Sequence, residues 1–244
     1  MLEQLRAEVL EANLALIEHG LVTLTWGNVS GRSPGENFVV IKPSGIDYRH
    51  MTPADMVVVD LEGKVVEGKW KPSSDTPTHL VLYRAFDGIG GIAHTHSNYA
   101  TSFAQACLPI PCLGTTHADH FNGPIPVTRY LSAEEAEDDY ERATGLLIVE
   151  TFSGLNPLEV PAVLLAGHGP FAWGKSPMDA VNTSVVLEKV AQMAFQTLLL
   201  HERIGSLPEY LLRKHFQRKH GPHAYYGQER TSSRETSDES LPQL

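Results

Sequence analysis

Short runs of β-branched residues alternate along this chain with longer segments in which apolar residues recur every three or four positions. The first pattern is typical of strands with a buried face, and the second of helices that pack one side against a sheet. The order is not a regular strand–helix–strand alternation, because some strand runs are separated only by a turn. The sequence therefore predicts one α/β domain of layered helices and strands with a mixed, mostly antiparallel sheet.

The individual strands can be placed from their composition. Residues 38–42 and 56–61 are rich in valine and isoleucine, and Gly63 follows the second run at a position that suits a hairpin turn with positive φ. The return strand of this hairpin would be KVVEG. Further apolar runs are predicted to be strands at 90–94, 123–128, 146–152 and 162–167.

The N-terminal segment predicts an amphipathic helix, because Leu5, Val9, Ala12 and Leu16 fall on one face and Gly20 can cap its C-terminus. Glutamates interrupt its apolar residues, which argues against a signal peptide. The other helices are predicted at 77–86, 133–144, 177–203 and 208–219.

Composition narrows the function classes. The 19 Lys and Arg residues against 29 Asp and Glu residues give a net charge of −10, which argues against a nucleic-acid partner. No apolar run approaches the roughly 20 residues of a membrane helix. Cys107 and Cys112 do not suggest a disulfide framework, so we expect a cytoplasmic protein. Residues 229–244 are mostly polar and charged, and are predicted to form a disordered tail after a folded domain of residues 1–228.

The strongest chemical signal is His94-Thr95-His96 at the end of an apolar run. Residues i and i+2 of a strand point to one face, so these two imidazoles can converge on a metal ion. His168, between two glycines after another apolar run, is a third candidate, although such a histidine is also common in ordinary turns. Asp75 is a candidate fourth ligand, although it could equally be a helix N-cap. Three imidazoles and a carboxylate suit Zn²⁺ or another divalent transition metal.

Three polar turns can offer donors to an anion, and Lys42 can offer a cation. They are Gly27-Asn28, Ser44-Gly45 and Ser73-Ser74. Each could instead be an ordinary loop, and composition alone does not place them together.

Asp119, between two histidines, and Tyr226 are candidate groups for proton transfer. A surface hydrogen bond for the aspartate and simple packing for the tyrosine are the alternatives that the residues leave open.

Seven motifs occur in order along the chain. They are LTWGNVS, IKPSG-DY, KPSSDTPTH, GGI-HTHS, GTTHAD, GHGPFAWG and KHG-AYYGQ. With these motifs the chain resembles the class II aldolase/adducin family, and within it the sugar-phosphate epimerases, from residue 1 to about residue 228. The resemblance implies a single three-layer α/β/α domain that assembles as a cyclic homotetramer with active sites between subunits.

The resemblance also implies roles for particular residues. The ligands of one zinc ion per subunit would be Asp75, His94, His96 and His168. The substrate phosphate would be bound by Asn28, Ser44, Gly45, Ser73 and Ser74, with contributions from Gly27 and Lys42. Asp119 and Tyr226 would be the acid/base pair, with Tyr226 supplied by a neighbouring subunit. Further active-site positions would be Thr115, Glu141 and His215.

The implied reaction interconverts L-ribulose 5-phosphate and D-xylulose 5-phosphate by breaking and re-forming the C3–C4 bond. An aldolase similar to L-fuculose-phosphate aldolase is the first alternative, but those aldolases carry Glu where this chain has Asp75. A non-enzymatic domain similar to the adducin head is the second, although it would lack the metal ligands that this chain carries.

Overall fold

The computed structural model describes residues 2–32, 35, 37–222 and 224–225. The helices in this part are α1 (Leu2–Glu18), α2 (Thr76–Ala85), α3 (Asn98–Gln105), α4 (Thr115–Ala118), α5 (Ala133–Asp138), α6 (Tyr140–Thr151), α7 (Pro177–Leu200) and α8 (Glu209–His220). The strands are β1 (Asn28–Arg32), β2 (Phe38–Ile41), β3 (Val57–Asp60), β4 (Val65–Glu67), β5 (Gly91–His94), β6 (Ala162–Leu164) and β7 (Pro170–Gly174). None of the described helices is both long enough and apolar enough to span a membrane.

The strands form one sheet in the order β4-β3-β2-β1-β5-β7-β6. Every neighbouring pair in this sheet is antiparallel. A parallel bridge joins Val127 to Leu164 outside the named strand pairs. The predicted α/β class with a mostly antiparallel sheet is confirmed.

The helices cover both faces of the sheet, because successive residues of a strand point to opposite sides. Val39 and Ile41 of β2 pack in a cluster with residues of α2 and α6, whereas Val40 packs with residues of α1. Ile92 of β5 likewise belongs to the first cluster, and Ala93 packs with residues of α1 and α7 on the other face. The domain is therefore a three-layer α/β/α sandwich.

Most elements with a strong sequence period are confirmed. The N-terminal helix ends before Gly20, which has a φ of 66°, and the hairpin turn before β4 contains Gly63 at a φ of 91°. Helices α2, α7 and α8 agree with the predicted ranges to within a few residues. The side chain of Ser176 caps α7 by accepting a hydrogen bond from the Asp179 amide.

The strand prediction for 146–152 is wrong, because these residues belong to the helix α6 and its C-cap. Thr144, Leu147 and Ile148 are buried with helical spacing, while Leu146 is half exposed. A helix is favoured here because the Asp139 side chain caps its first turn by accepting from the Arg142 amide.

Two further predictions need correction. The single helix expected at 133–144 is interrupted at Asp139, whose φ of −149° and ψ of 81° separate α5 from α6. The strand expected at 123–128 is reduced to isolated bridges at Ile125 and Val127, because Pro124 and Pro126 have no amide hydrogen to donate to a ladder. Strands β1 and β7 and helices α3 and α4 were not predicted. The two strands are short and contain Gly or Pro, and the two helices are short and show no clear repeat of apolar residues.

A close backbone approach fixes β5 against the start of α7. A Cβ atom added at Gly91 would lie 2.2 Å from the carbonyl oxygen of Ser176 and 2.5 Å from the nitrogen of Pro177. Because both neighbours are backbone atoms, they can yield only by moving the strand or the helix.

We expect Gly91→Ala to lower the free energy of unfolding by about 1–3 kcal/mol or more, the usual range for adding a side-chain atom to a packed core. The matched control is Gly205→Ala, since a Cβ there meets no atom within 4 Å. Urea unfolding would measure both variants, and equal midpoints would contradict the close contact.

Candidate metal centre

Strand pairing brings three histidines together at one edge of the sheet. His94 is the last residue of β5 and lies opposite Phe171 of β7, and His168 is in the turn just before β7. Gly167 enters that turn with a φ of 73°. The His94 Nε2 atom lies 3.1 Å from the Nε2 atoms of both His96 and His168. The possible ligand atoms of the three residues all lie within 4.8 Å of one another.

Hydrogen bonds to the other ring nitrogens orient two of these imidazoles. The Nδ1 atom of His94 lies 2.9 Å from the carbonyl oxygen of Pro170, which can only accept, so Nδ1 carries the hydrogen and Nε2 the lone pair. The same ring stacks on Phe171 with centroids 4.2 Å apart. The Nδ1 atom of His168 lies 2.9 Å from the hydroxyl of Tyr140. Such outer partners are usual for metal-bound histidines.

The geometry of the nitrogens fits a divalent transition metal. A tetrahedral ion with bonds of about 2.0–2.1 Å to each nitrogen would hold them about 3.3 Å apart. Burial, with smaller contributions from the neighbouring histidines, lowers the pKa of His168 to about 4 and also lowers the pKa of His96. Both rings are therefore neutral at pH 7, which is the form that binds metal.

Asp75 lies beside the histidine group but is not a member of the set whose ligand atoms all fall within 4.8 Å. It occupies the N-cap position of α2, yet its side chain makes no capping bond there. Its Oδ2 atom instead accepts a hydrogen bond of 2.5 Å from Asn28 Nδ2. Burial opposes its ionisation, but His94, His79 and this hydrogen bond outweigh burial and lower the pKa of Asp75. The capping alternative therefore does not account for this carboxylate.

The polar turns converge, which the sequence alone left open. The Ser44 amide donates to Lys71 O, and the Ser73 amide donates to Lys42 O, at 3.0 and 2.9 Å. These bonds hold residues 42–44 alongside residues 71–73, and Ser74 and Asp75 follow directly.

The third turn joins the same region through β1. Asn28 is paired with His94 across the sheet and bonds to Asp75. Gly27 has a φ of 79°, and a Cβ there would lie 2.7 Å from His94 O, so this position packs tightly against the end of β5. Gly45 also has positive φ, at 68°, but open space around it.

Lys42 is a buried amine in this group of turns. Its Nζ lies 4.6 Å from the centroid of the Tyr48 ring and donates to Pro43 O at 3.3 Å. Burial lowers the pKa of Lys42 to about 8, although Asp47 and Asp75 act in the opposite direction. The amine is therefore still largely protonated at pH 7, and an anion in the pocket would stabilise its charge.

Asp119 lies in a second polar cluster, directly after α4. Arg218 of α8 donates to both of its oxygens, at 2.9 and 2.5 Å, and His215 lies 3.0 Å from Oδ1. Burial would raise the pKa of Asp119, but the bonds from Arg218 and His215 outweigh it and lower the pKa. Within the described residues, no hydrogen bond joins Asp119 to the three histidines. The structure thus brings His215 to Asp119 and holds that carboxylate ionised.

For the remaining predicted positions, Thr115 and Glu141, the described part of the structure shows no direct hydrogen bond to the three histidines. Thr115 is the first residue of α4, and Glu141 is the second residue of α6, where its carbonyl oxygen accepts from Thr78 of α2 at 2.5 Å. Tyr226 lies outside the described residues, as does the tail at 229–244.

Two aromatic residues near the histidines were not predicted. Tyr140 bonds to His168, and the ring centroid of Trp26 lies 6.1 Å from that of His96. Tyr140 falls inside the helix predicted at 133–144, so no local pattern marked it. Trp26 precedes Gly27-Asn28 directly, and this adjacency was the one available signal.

Comparisons with known proteins agree with this architecture. Residues 7–195 match the family model for the class II aldolase and adducin N-terminal domain. The structure of an L-fuculose 1-phosphate aldolase is similar, with a TM-score of 0.75 and 28% identity, covering 88% of this chain and 95% of that one. YgbL from Klebsiella pneumoniae, provisionally described as an aldolase/epimerase/decarboxylase, has a TM-score of 0.70 and 27% identity. The match covers 88% of this chain and 98% of YgbL. L-Fuculose-1-phosphate aldolase from Thermus thermophilus has a TM-score of 0.65 and 25% identity. The match covers 84% of this chain and 100% of the aldolase.

We expect His96→Ala to remove most of the tightly bound divalent metal, because it deletes one of three converging nitrogens. His50→Ala is the matched control, since His50 is exposed and is not one of the three converging histidines. Metal content per chain, measured by mass spectrometry of the purified proteins, would compare them. Equal metal content in His96→Ala and the parent would contradict the site.

Proposed function

The chain belongs to the class II aldolase and adducin family, and we propose that it is a metal-dependent L-ribulose-5-phosphate 4-epimerase. The observation that carries this proposal is the convergence of His94, His96 and His168 beside Asp75, with the polar turns next to them. A candidate cation site with a buried lysine and serine hydroxyls on neighbouring segments suits a phosphorylated sugar. We further propose that it acts in the cytoplasm as a homotetramer.

The residues present fit a divalent metal ion, and we propose zinc. The ion would be held by Asp75, His94, His96 and His168. When bound, it would supply a Lewis acid that polarises a carbonyl group and stabilises negative charge on adjacent oxygens.

The polar turns would bind the phosphate of the substrate. Ser44 ends the segment that is hydrogen-bonded alongside residues 71–73, and Gly45 follows it. Ser73 and Ser74 come just before α2, whose N-terminus favours an anion. Lys42 would add a positive charge there, and Gly27 and Asn28 would close the pocket from β1. This grip would keep the phosphorylated fragment in place while the carbon chain is broken.

Asp119 and Tyr226 would move protons on opposite faces of that fragment. C4 of a pentulose phosphate carries a hydroxyl group and no acidic C–H, so its configuration can be inverted by breaking the C3–C4 bond. One of the two residues would take the C4 hydroxyl proton as this bond breaks, leaving glycolaldehyde phosphate and the enediolate of dihydroxyacetone. After the aldehyde rotates and the bond re-forms on its other face, the second residue would return a proton to the new C4 oxygen.

Other chain positions would support these roles. Arg218 and His215 lower the pKa of the Asp119 carboxyl and so keep it ionised at neutral pH. Thr115 and Glu141 would complete the substrate pocket, and Tyr226 would come from a neighbouring subunit. The catalytic domain would comprise residues 1–228, with residues 229–244 as a dispensable tail.

An aldolase is the second candidate, and the similarity to proteins named L-fuculose-1-phosphate aldolases favours it. Asp75 favours the epimerase, because the family's aldolases resemble this chain but carry the longer Glu at that position. A non-enzymatic role like that of the adducin head would not explain why three histidines converge on one point.

Product analysis separates these candidates. Incubation of the purified protein with L-ribulose 5-phosphate should yield D-xylulose 5-phosphate, with little free aldehyde, and a chelator should abolish the conversion. Release of dihydroxyacetone and glycolaldehyde phosphate as the main products would favour an aldolase. No turnover of either L-ribulose 5-phosphate or L-fuculose 1-phosphate would contradict both enzymes.

Tyr226→Phe should reduce turnover at least 100-fold, roughly the usual scale for loss of a proton-transfer group, without changing metal content or thermal stability. The neighbouring Tyr225→Phe is a matched control, because Tyr225 is exposed and its ring lies 5.3 Å from the Nζ atom of Lys214 in α8. Turnover numbers for the two variants would be compared at saturating substrate. A Tyr226→Phe enzyme as fast as the Tyr225→Phe control would remove Tyr226 from the mechanism.

A further inference from the structure

Tyr140 is the one hydroxyl among the described residues that bonds to the proposed ligand His168. Its oxygen lies 2.9 Å from Nδ1, on the opposite side of the ring from the Nε2 atom that faces His94. The two rings are nearly parallel, with centroids 6.3 Å apart and an interplanar angle of 29°. The contact is therefore to the ring nitrogen that the metal would not use.

The break between α5 and α6 determines where this hydroxyl lies. Asp139 leaves the helical conformation and caps the new helix, so Tyr140 becomes the first residue of α6. The next residue, Glu141, accepts a hydrogen bond through its carbonyl oxygen from Thr78 in the first turn of α2. The start of α6 thus contacts both segments that carry proposed ligands, the His168 turn and the α2 turn that follows Asp75.

The hydrogen bond has a chemical consequence for His168. A neutral imidazole has one N–H group and one lone pair, and the Tyr140 hydroxyl can donate to Nδ1 or accept from it. When it accepts, Nδ1 carries the hydrogen and the lone pair is left on Nε2, the atom that faces His94. His94 achieves the same tautomer through the Pro170 carbonyl. His168 sits in a turn between two glycines, outside the strand ladder that contains His94.

We propose that Tyr140 is a positioning residue of the metal centre, which holds His168 in the tautomer and orientation that binds metal. This inference rests on the proposed metal-dependent function, but it adds a residue outside the ligand set. The loss of such an outer hydrogen bond typically lowers metal affinity about 10–100-fold.

The test is a Co²⁺ titration of the metal-free full-length protein, followed by the visible absorption of the bound ion. Tyr140→Phe should raise the dissociation constant about 10–100-fold. Tyr130→Phe is the control, because the Tyr130 ring borders the same turn, 2.7 Å from a Cβ placed on Gly167, without bonding to His168. Tyr130→Phe should bind Co²⁺ as the parent does.

A double-mutant cycle separates positioning from a general effect on folding. In a His168→Ala background, Tyr140→Phe should change the Co²⁺ dissociation constant less than about twofold, because its partner is absent. An equal loss in both backgrounds, or no loss in Tyr140→Phe alone, would overturn the role of Tyr140 while leaving the metal centre in place. Failure of the parent protein to show histidine-dependent Co²⁺ binding would instead overturn the proposed function together with this inference.

Discussion

The antiparallel pairing of β5 with β7 is the interaction on which the candidate site depends. It sets His94 opposite Phe171 and so places the turn that carries His168 at the end of β5. Glycine at positions 90 and 91 lets β5 approach the start of α7, where a Cβ would meet backbone atoms at 2.2 Å. The ladder of β5 with β7 brings two histidines separated by 74 residues to a 3.1 Å contact.

The histidine cluster has an acidic group, Asp75, on one side and a basic group, Lys42, on a neighbouring segment. This arrangement suits a substrate whose two ends differ in charge. The pKa of Asp75 is lowered, and this carboxylate lies beside neutral imidazoles, which favours a cation here. The buried Lys42 and the hydroxyls of the serine turns lie on chain segments that are hydrogen-bonded to each other next to Asp75. Since buried charges are stable only when they are paired, Asp75 and Lys42 each favour a ligand group of complementary charge.

Much of this arrangement could be predicted from the sequence where a local period was strong. The i and i+2 spacing of His94 and His96, the glycines around His168 and the apolar faces of α1 and α7 each give a local signal. Residues 146–152 are rich in β-branched residues, which is typical of a strand. They form a helix because Asp139 caps its N-terminus and because its buried face packs on α2. The contacts of Tyr140 with His168 and of Arg218 with Asp119 join residues 28 and 99 positions apart, and no local pattern encodes them.

The central claim is that three imidazoles and a carboxylate meet around a single divalent ion. X-ray absorption at the zinc edge of the zinc-loaded protein tests it most directly, because imidazole rings give a distinctive outer-shell signal. We predict about three imidazole nitrogens and at least one oxygen at about 2.0–2.2 Å. A spectrum that fits water or carboxylate oxygens alone, without imidazole, would contradict the account.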